Sequence, residues 1–106
     1  MMLLTKEIKS KLPKLYATES IPLMDKEIVC KFFNPTGLGT WYVIEGEEED
    51  GDFRFFGLVD LFEMEFGYFS LNELESLHLP LNQKIERDLH FSKNKISQVY
   101  KKEPLE

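Results

Sequence analysis

Apolar and polar positions alternate with a period of two along several stretches of this chain, the pattern of half-buried strands. Glu27–Phe33 places Val29, Lys31 and Phe33 on one face and Ile28, Cys30 and Phe32 on the other. Thr40–Glu45 is rich in aromatic and β-branched residues, and Phe53–Val59 follows closely. The first gap, Asn34–Gly39, is dense in turn residues. The second ends in Asp50-Gly51, a hairpin signal because glycine accepts positive φ at little cost. Three strands joined by short turns predict an antiparallel meander. Glu65–Phe69 reads as a fourth strand or an extended lead-in, and Ile85–Phe91 as a late strand.

Helical signals flank and interrupt this pattern. Thr5 is placed to cap a short helix, Lys6–Leu12, and Pro13 disfavours helical geometry at Leu12 and ends it. Residues 14–26 have no clear period and read as a loop packed by Leu15, Tyr16 and Leu23. The clearest local signal is Phe69–Leu74. Ser70 and Glu73 form a capping box and Phe69 and Leu74 a hydrophobic staple, opening a helix over Leu71–His78. Ser92 is placed to cap a last helix with Ile96, Val99 and Tyr100 on one side. The expected fold is a single α+β domain over residues 1–106. It has an antiparallel sheet of four to five strands, a meander, with two to three short helices packed on it.

Three aromatic doublets, Phe32-Phe33, Trp41-Tyr42 and Phe55-Phe56, put a ring on each side of the sheet. Helices cover one face. The other needs the loop 14–26, the terminal segments, a homodimer contact or a protein partner to cover it.

Charge is distributed unevenly. Residues 36–77 carry one basic group, Arg54, and eleven acidic ones, a balance of −10 in a chain of net charge −6. Such a chain receives no general counterion-release assistance, so direct nucleic-acid binding is not expected. The run Glu45–Asp52 reads as a solvated hairpin tip. The start, Met1–Leu4 followed by Thr5-Lys6-Glu7, lacks the apolar core of a signal peptide or membrane span, and the one cysteine fits a reducing compartment. A cytoplasmic protein is expected. The closing Leu105-Glu106 has the look of a cloning scar and carries no weight.

Candidate chemistry concentrates in Glu86-Arg87-Asp88-Leu89-His90. On a strand, Glu86, Asp88 and His90 share one face, a set suited to a divalent metal or to acid–base work. Positions i and i+4 of a strand lie roughly 13 Å apart, so one ion would need a bulge or help from Asp60, Glu63 or Glu65. Arg87 falls on the opposite face among Ile85, Leu89 and Phe91, where a packed guanidinium requires carboxylates, supplied by Asp60, Glu63, Glu65 or Glu73. One cysteine and two histidines exclude a Cys/His zinc site within one chain, and no phosphate-cradling glycine loop precedes a helix. No cofactor is expected. Cys30 reads as a buried apolar filler.

Several segments resemble the family catalogued as domain of unknown function 2958, small bacterial proteins often found on plasmids and conjugative elements. The matching pieces are Leu3–Lys6, Val29–Pro35 with Thr40-Trp41, and Phe56-Gly57-Leu58. Glu65–Leu74 and Pro80-Leu81 followed by Ile85–Phe91 complete them. Residues 78–83 depart from the family pattern, with His78-Leu79 and Asn82-Gln83 where a glycine-containing loop is usual. The resemblance implies a mobile-element accessory protein and brings no activity or catalytic residue. The expected role is non-enzymatic: binding of a protein partner through an acidic or aromatic surface, with Glu86, Arg87, Asp88, His90, Asp60 and Trp41 as candidate binding residues. The alternative is a small metal-dependent hydrolase or nuclease using Glu86, Asp88 and His90.

Overall fold

In the computed structural model, which describes residues 1–92 and 94–101, the chain runs α1 (Lys6–Lys11), β1 (Cys30–Phe33), β2 (Thr40–Glu49) and β3 (Asp52–Asp60). It continues through β4 (Met64–Ser70), α2 (Leu71–Glu75), β5 (Glu86–Arg87) and α3 (Ile96–Val99). Leu105 and Glu106 lie outside the described residues. The sheet order is β4-β3-β2-β1-β5, and every neighbouring pair is antiparallel. The expected α+β meander is present over β1–β4, and β5 returns to flank β1. The β2–β3 hairpin closes at Asp50 (φ 48°) and Gly51 (φ 80°), the two left-handed residues that a tight hairpin turn requires.

Each doublet divides its rings between the two faces. Phe32, Trp41 and Phe55 lie in the core of the first face, with Leu3, Leu4, Leu74 and Ile85 packed over them. Phe32 and Phe55 meet edge to face, their centroids 5.6 Å apart and their planes at 71°. α1 belongs to this cover. Thr5 Oγ1 accepts from the Ile8 amide at 3.1 Å, and Leu12 turns extended (ψ 124°) ahead of Pro13. The second face buries Ile28, Ile44, Leu58 and Ile96, with Tyr42, Phe56, Phe66, Phe91 and Tyr100 around them.

α2 begins as its sequence dictates. The Glu73 amide donates to Ser70 Oγ at 3.1 Å, and the Ser70 amide to Glu73 Oε1 at 3.0 Å. It is shorter than the spacing predicts, ending at Glu75 rather than His78. Ser76 Oγ donates back to the Glu73 carbonyl at 3.1 Å, a local bond that competes with helix continuation, and Leu77 is exposed, so another turn would bury nothing.

The late strand differs most from its expectation. Only Glu86 and Arg87 pair with β1. The Asp88 amide still donates to the Lys31 carbonyl (2.9 Å), but Asp88 Oδ1 then accepts from the His90 amide (2.9 Å) and reverses the chain. Leu89 is left exposed and Phe91 joins the second face. Here the alternation of residue types runs straight through an aspartate turn.

The C-terminal segment covers part of the second face. The Ile28 amide donates to the Asn94 carbonyl (2.8 Å) and the Ile96 amide to the Lys26 carbonyl (3.0 Å), so Ile96 is pressed fully into the core. The N-cap of α3 is Lys95, whose amide donates to Gln98 Oε1 at 2.7 Å, and not Ser92. Among the described residues no helix is long and apolar enough to cross a membrane.

Ser70→Ala is expected to lower the unfolding free energy by about 1 kcal/mol through loss of the cap. Leu77→Ala, exposed and past the helix end, changes it by less than about 0.5 kcal/mol. Urea denaturation of the two variants measures both.

Candidate binding cleft

A β-bulge organises the open half of the second face. The β2–β3 register shifts between Val43 and Glu45: Val43 pairs with Gly57 and Glu45 with Phe56. Ile44 and Glu45 therefore both turn toward the second face, where strict alternation would send Glu45 to the first. Gly57 belongs to this geometry. A Cβ there would stand 1.9 Å from the Tyr42 carbonyl oxygen, so no side chain fits between the strands.

The aimed carboxylate captures the loop after α1. Glu45 Oε1 accepts from the Tyr16 amide at 2.9 Å, Oε2 accepts from the Thr18 amide at 3.0 Å, and the Thr18 hydroxyl also donates to Oε2. Next to it, Glu47 Oε1 accepts from the Leu15 amide at 2.9 Å, and the Gly46 amide donates to the Pro13 carbonyl at 2.9 Å. The loop is thus held by backbone amides on carboxylates. Tyr16 and Leu23, expected to pack it, are exposed. Glu45, expected in a solvated hairpin tip, is only 3% exposed; the solvated part of that run is Glu48–Gly51.

A second buried charge completes the loop's anchorage. Lys26, 4% exposed, donates through Nζ to the carbonyl of Thr18 and to its Oγ1, the latter at 2.9 Å. Thr18 stands between an ammonium and a carboxylate, accepting from one and donating to the other. Each buried charge is thereby satisfied, as burial at this depth requires. The hydroxyl proton is committed to Glu45, so Thr18 is a structural bridge here rather than an activated nucleophile.

Over this base lies a cleft of about 440 Å³ bounded by Tyr16, Ile21, Leu23, Phe56 and Tyr68, with Lys26 and Glu45 at its floor. Tyr16 is held at φ 70°, an uncommon conformation for a tyrosine, and the residue is 63% exposed. Its centroid lies 6.2 Å from that of Tyr68. The phenol of Tyr68 is raised above its ordinary pKa, first by a hydrogen bond with Tyr16. Arg54 lies over the Tyr68 ring at 4.9 Å and pairs with Glu49 at 3.6 Å. The arrangement offers exposed rings, Arg54 at the side and a floor whose two charges, Lys26 and Glu45, are already engaged with Thr18: it is suited to holding an apolar or aromatic group.

The residues singled out in the sequence do not meet in one site. Glu86, Phe33, Thr40 and Asp60 form one row across four strands, so Glu86 and Asp60 stand roughly 14 Å apart at ordinary strand spacing. Asp88 faces Lys31 (Oδ2 to Nζ, 3.5 Å), and His90 reaches it only through its backbone amide. Among the described residues no three His, Cys, Asp or Glu side chains converge so as to hold a metal. Arg87 lies on the first-face side as expected, but its partners are the carbonyls of Met2 and Leu3 (2.9 Å to the latter), not carboxylates from residues 60–73. Its role is to fasten the N-terminal segment over the core. Trp41, 7% exposed, is itself core. The cleft residues Tyr16, Lys26, Glu45 and Tyr68 were missed. The available signal was Gly46, since a glycine inside a strand marks a bulge or a close approach.

The family of proteins of unknown function DUF2958 matches residues 3–104, and the chain belongs to it. No curated protein and no solved structure matches the chain.

Two outcomes follow from this chemistry. Glu45→Ala removes the acceptor of three hydrogen bonds and should cost about 3 kcal/mol, read by urea denaturation, with hydrogen-exchange protection lost at the Tyr16 and Thr18 amides. Burial pushes the Cys30 thiol up to about 12, with Arg87 opposing weakly. The folded protein should therefore resist thiol alkylation at pH 8 and react only once denatured, as mass spectrometry would record.

Proposed function

We propose that this protein is a non-enzymatic accessory protein that binds a protein partner through the aromatic second face of its sheet, with the cleft between Tyr16, Phe56 and Tyr68 receiving an apolar side chain of that partner. The observation that carries this reading is the exposed tyrosine pair over a floor of satisfied charges. Tyrosine supplies large, rigid contact area at low entropic cost, and buried polar groups that are already paired keep such a cleft in shape. The remaining cover of this face is internal, contributed by Phe91, Ile96 and Tyr100. The acidic turn Glu48–Asp50 lies at the end of the same hairpin and adds charge selectivity at the rim. A cytoplasmic setting and a mobile-element context belong to the proposal and rest on composition and on family resemblance.

The hydrolase alternative has no supporting geometry, because Glu86, Asp88 and His90 each face a different partner or solvent.

The test is affinity capture from a bacterial host with the wild-type chain and the double variant Tyr16→Asn, Tyr68→Thr, quantified by mass spectrometry. Asparagine tolerates the left-handed backbone at position 16 and threonine suits a strand, so the fold is retained. A partner depleted about tenfold or more by the double variant, yet unaffected by Leu81→Ala on another surface, is the expected result. A captured set identical for both proteins, or saturable magnesium or manganese shifts confined to residues 86–90, would overturn the reading.

A further inference from the structure

β4 forms one edge of the sheet, and among the described residues no strand pairs with its outer side. Its seven residues pair with β3 in unbroken register from Arg54↔Ser70 to Asp60↔Met64. Among the described residues, no backbone–backbone hydrogen bond joins the other side of β4 to any segment; at its first residue the Lys101 amide donates to Met64 Sδ at 3.2 Å. Soluble proteins ordinarily blunt such an edge with proline, lysine, a bulge or extreme shortness. The opposite edge follows that rule, since β5 is two residues long. β4 contains no proline, no basic residue and no bulge.

Gly67 is the second observation. It has an ordinary φ, and a Cβ added to it would meet nothing within 4 Å. A glycine inside a strand costs roughly 0.5–1 kcal/mol relative to alanine. Its cross-strand neighbour Gly57 is required by the close approach of Tyr42, but nothing internal requires Gly67. A bare position in mid-strand leaves room for an approaching chain.

Charge decides the occupant. Glu63 and Glu65 stand at one end of this edge and Glu73 and Glu75 follow the other. The one base of residues 36–77, Arg54, is engaged by Glu49 and Tyr68. A second copy of the chain would bring another net charge of −6 to the same edge. We propose that β4 takes an extended, basic segment of a partner protein as an added strand. A lysine or arginine opposite Gly67 would lay its stem across the bare position and its charge beside Glu65. Side chains on the other side of that strand would fall next to Tyr68 and the cleft. The inference rests on the reading that the protein binds a protein partner, and it names the chemistry of the segment bound.

The probe is the acetylated, amidated peptide Lys-Thr-Lys-Val-Lys-Thr-Lys, followed by amide NMR of the full chain, with a counterpart carrying glutamate for lysine. Saturable shifts over residues 64–70, with slowed amide exchange there, are the expected result. Glu65→Lys and Gly67→Val, the latter filling open space in a fold verified by its spectrum, should each weaken binding about tenfold or more. Tyr16→Asn alone, which changes a cleft residue outside β4, tests the cleft separately. Shifts confined to the cleft would overturn the edge proposal and leave the cleft reading standing. Equal binding of the glutamate peptide, no saturable shift along β4, or β4 shifts that appear on concentrating the protein alone would each overturn it.

Discussion

The carboxylate of Glu45 is the constraint on which the cleft-bearing half of the molecule depends. It reaches the second face only because β2 carries one extra residue between Val43 and Glu45. Once there, buried and bonded to two amides, it fixes the path of residues 16–18 more tightly than apolar contacts would, since hydrogen bonds to a charged acceptor are short and directional. Thr18 extends that order to Lys26, and Lys26 lies two residues before Ile28, where the core of the second face begins. The loop wall, the exposed Tyr16 and the cleft beneath it all derive from one side chain aimed by one irregularity.

The sheet is therefore finished differently on its two sides. The first face is sealed by the N-terminal segment, α2 and Ile85, with Arg87 fastening the chain terminus through backbone carbonyls. The second is covered at its core by Phe91, Ile96, Val99 and Tyr100, and the β3–β4 half is open to solvent at Tyr68. Polar anchoring allows this asymmetry. An apolar loop would have needed to bury Tyr16 and Leu23 to stay in place, and would have closed the cleft in doing so.

Local chemistry was legible in the sequence wherever a residue type has a single mechanical meaning. Pro13, Asp50-Gly51 and the Ser70–Glu73 box each acted where they stand, and each doublet divided between the faces because strand alternation permits nothing else. The failures came where one residue served two purposes. Asp88 looked like a potential ligand in a continuing strand and was instead the turn that ended it. Glu45 looked like part of a solvated charge run and was instead a buried anchor. Arg87 was expected among Ile85, Leu89 and Phe91 with carboxylate partners. It is half-buried, Leu89 is exposed and Phe91 lies on the other face, and its partners are backbone carbonyls, which residue patterns do not display. The cleft itself was beyond reach, because it is assembled from a loop, a bulge and an edge strand far apart in the chain.

Gly57 carries a consequence for genetics. It touches no surface where a partner would sit, yet even a methyl group there would force β2 from β3 beside the bulge and redirect Glu45. Under the binding role proposed above for Tyr16 and Tyr68, a screen for loss of binding would score this position alongside them, although it lies within the sheet and contributes nothing to contact. Its phenotype would be inherited from geometry, and a map of the binding surface drawn from loss-of-function variants alone would be too large by at least this residue.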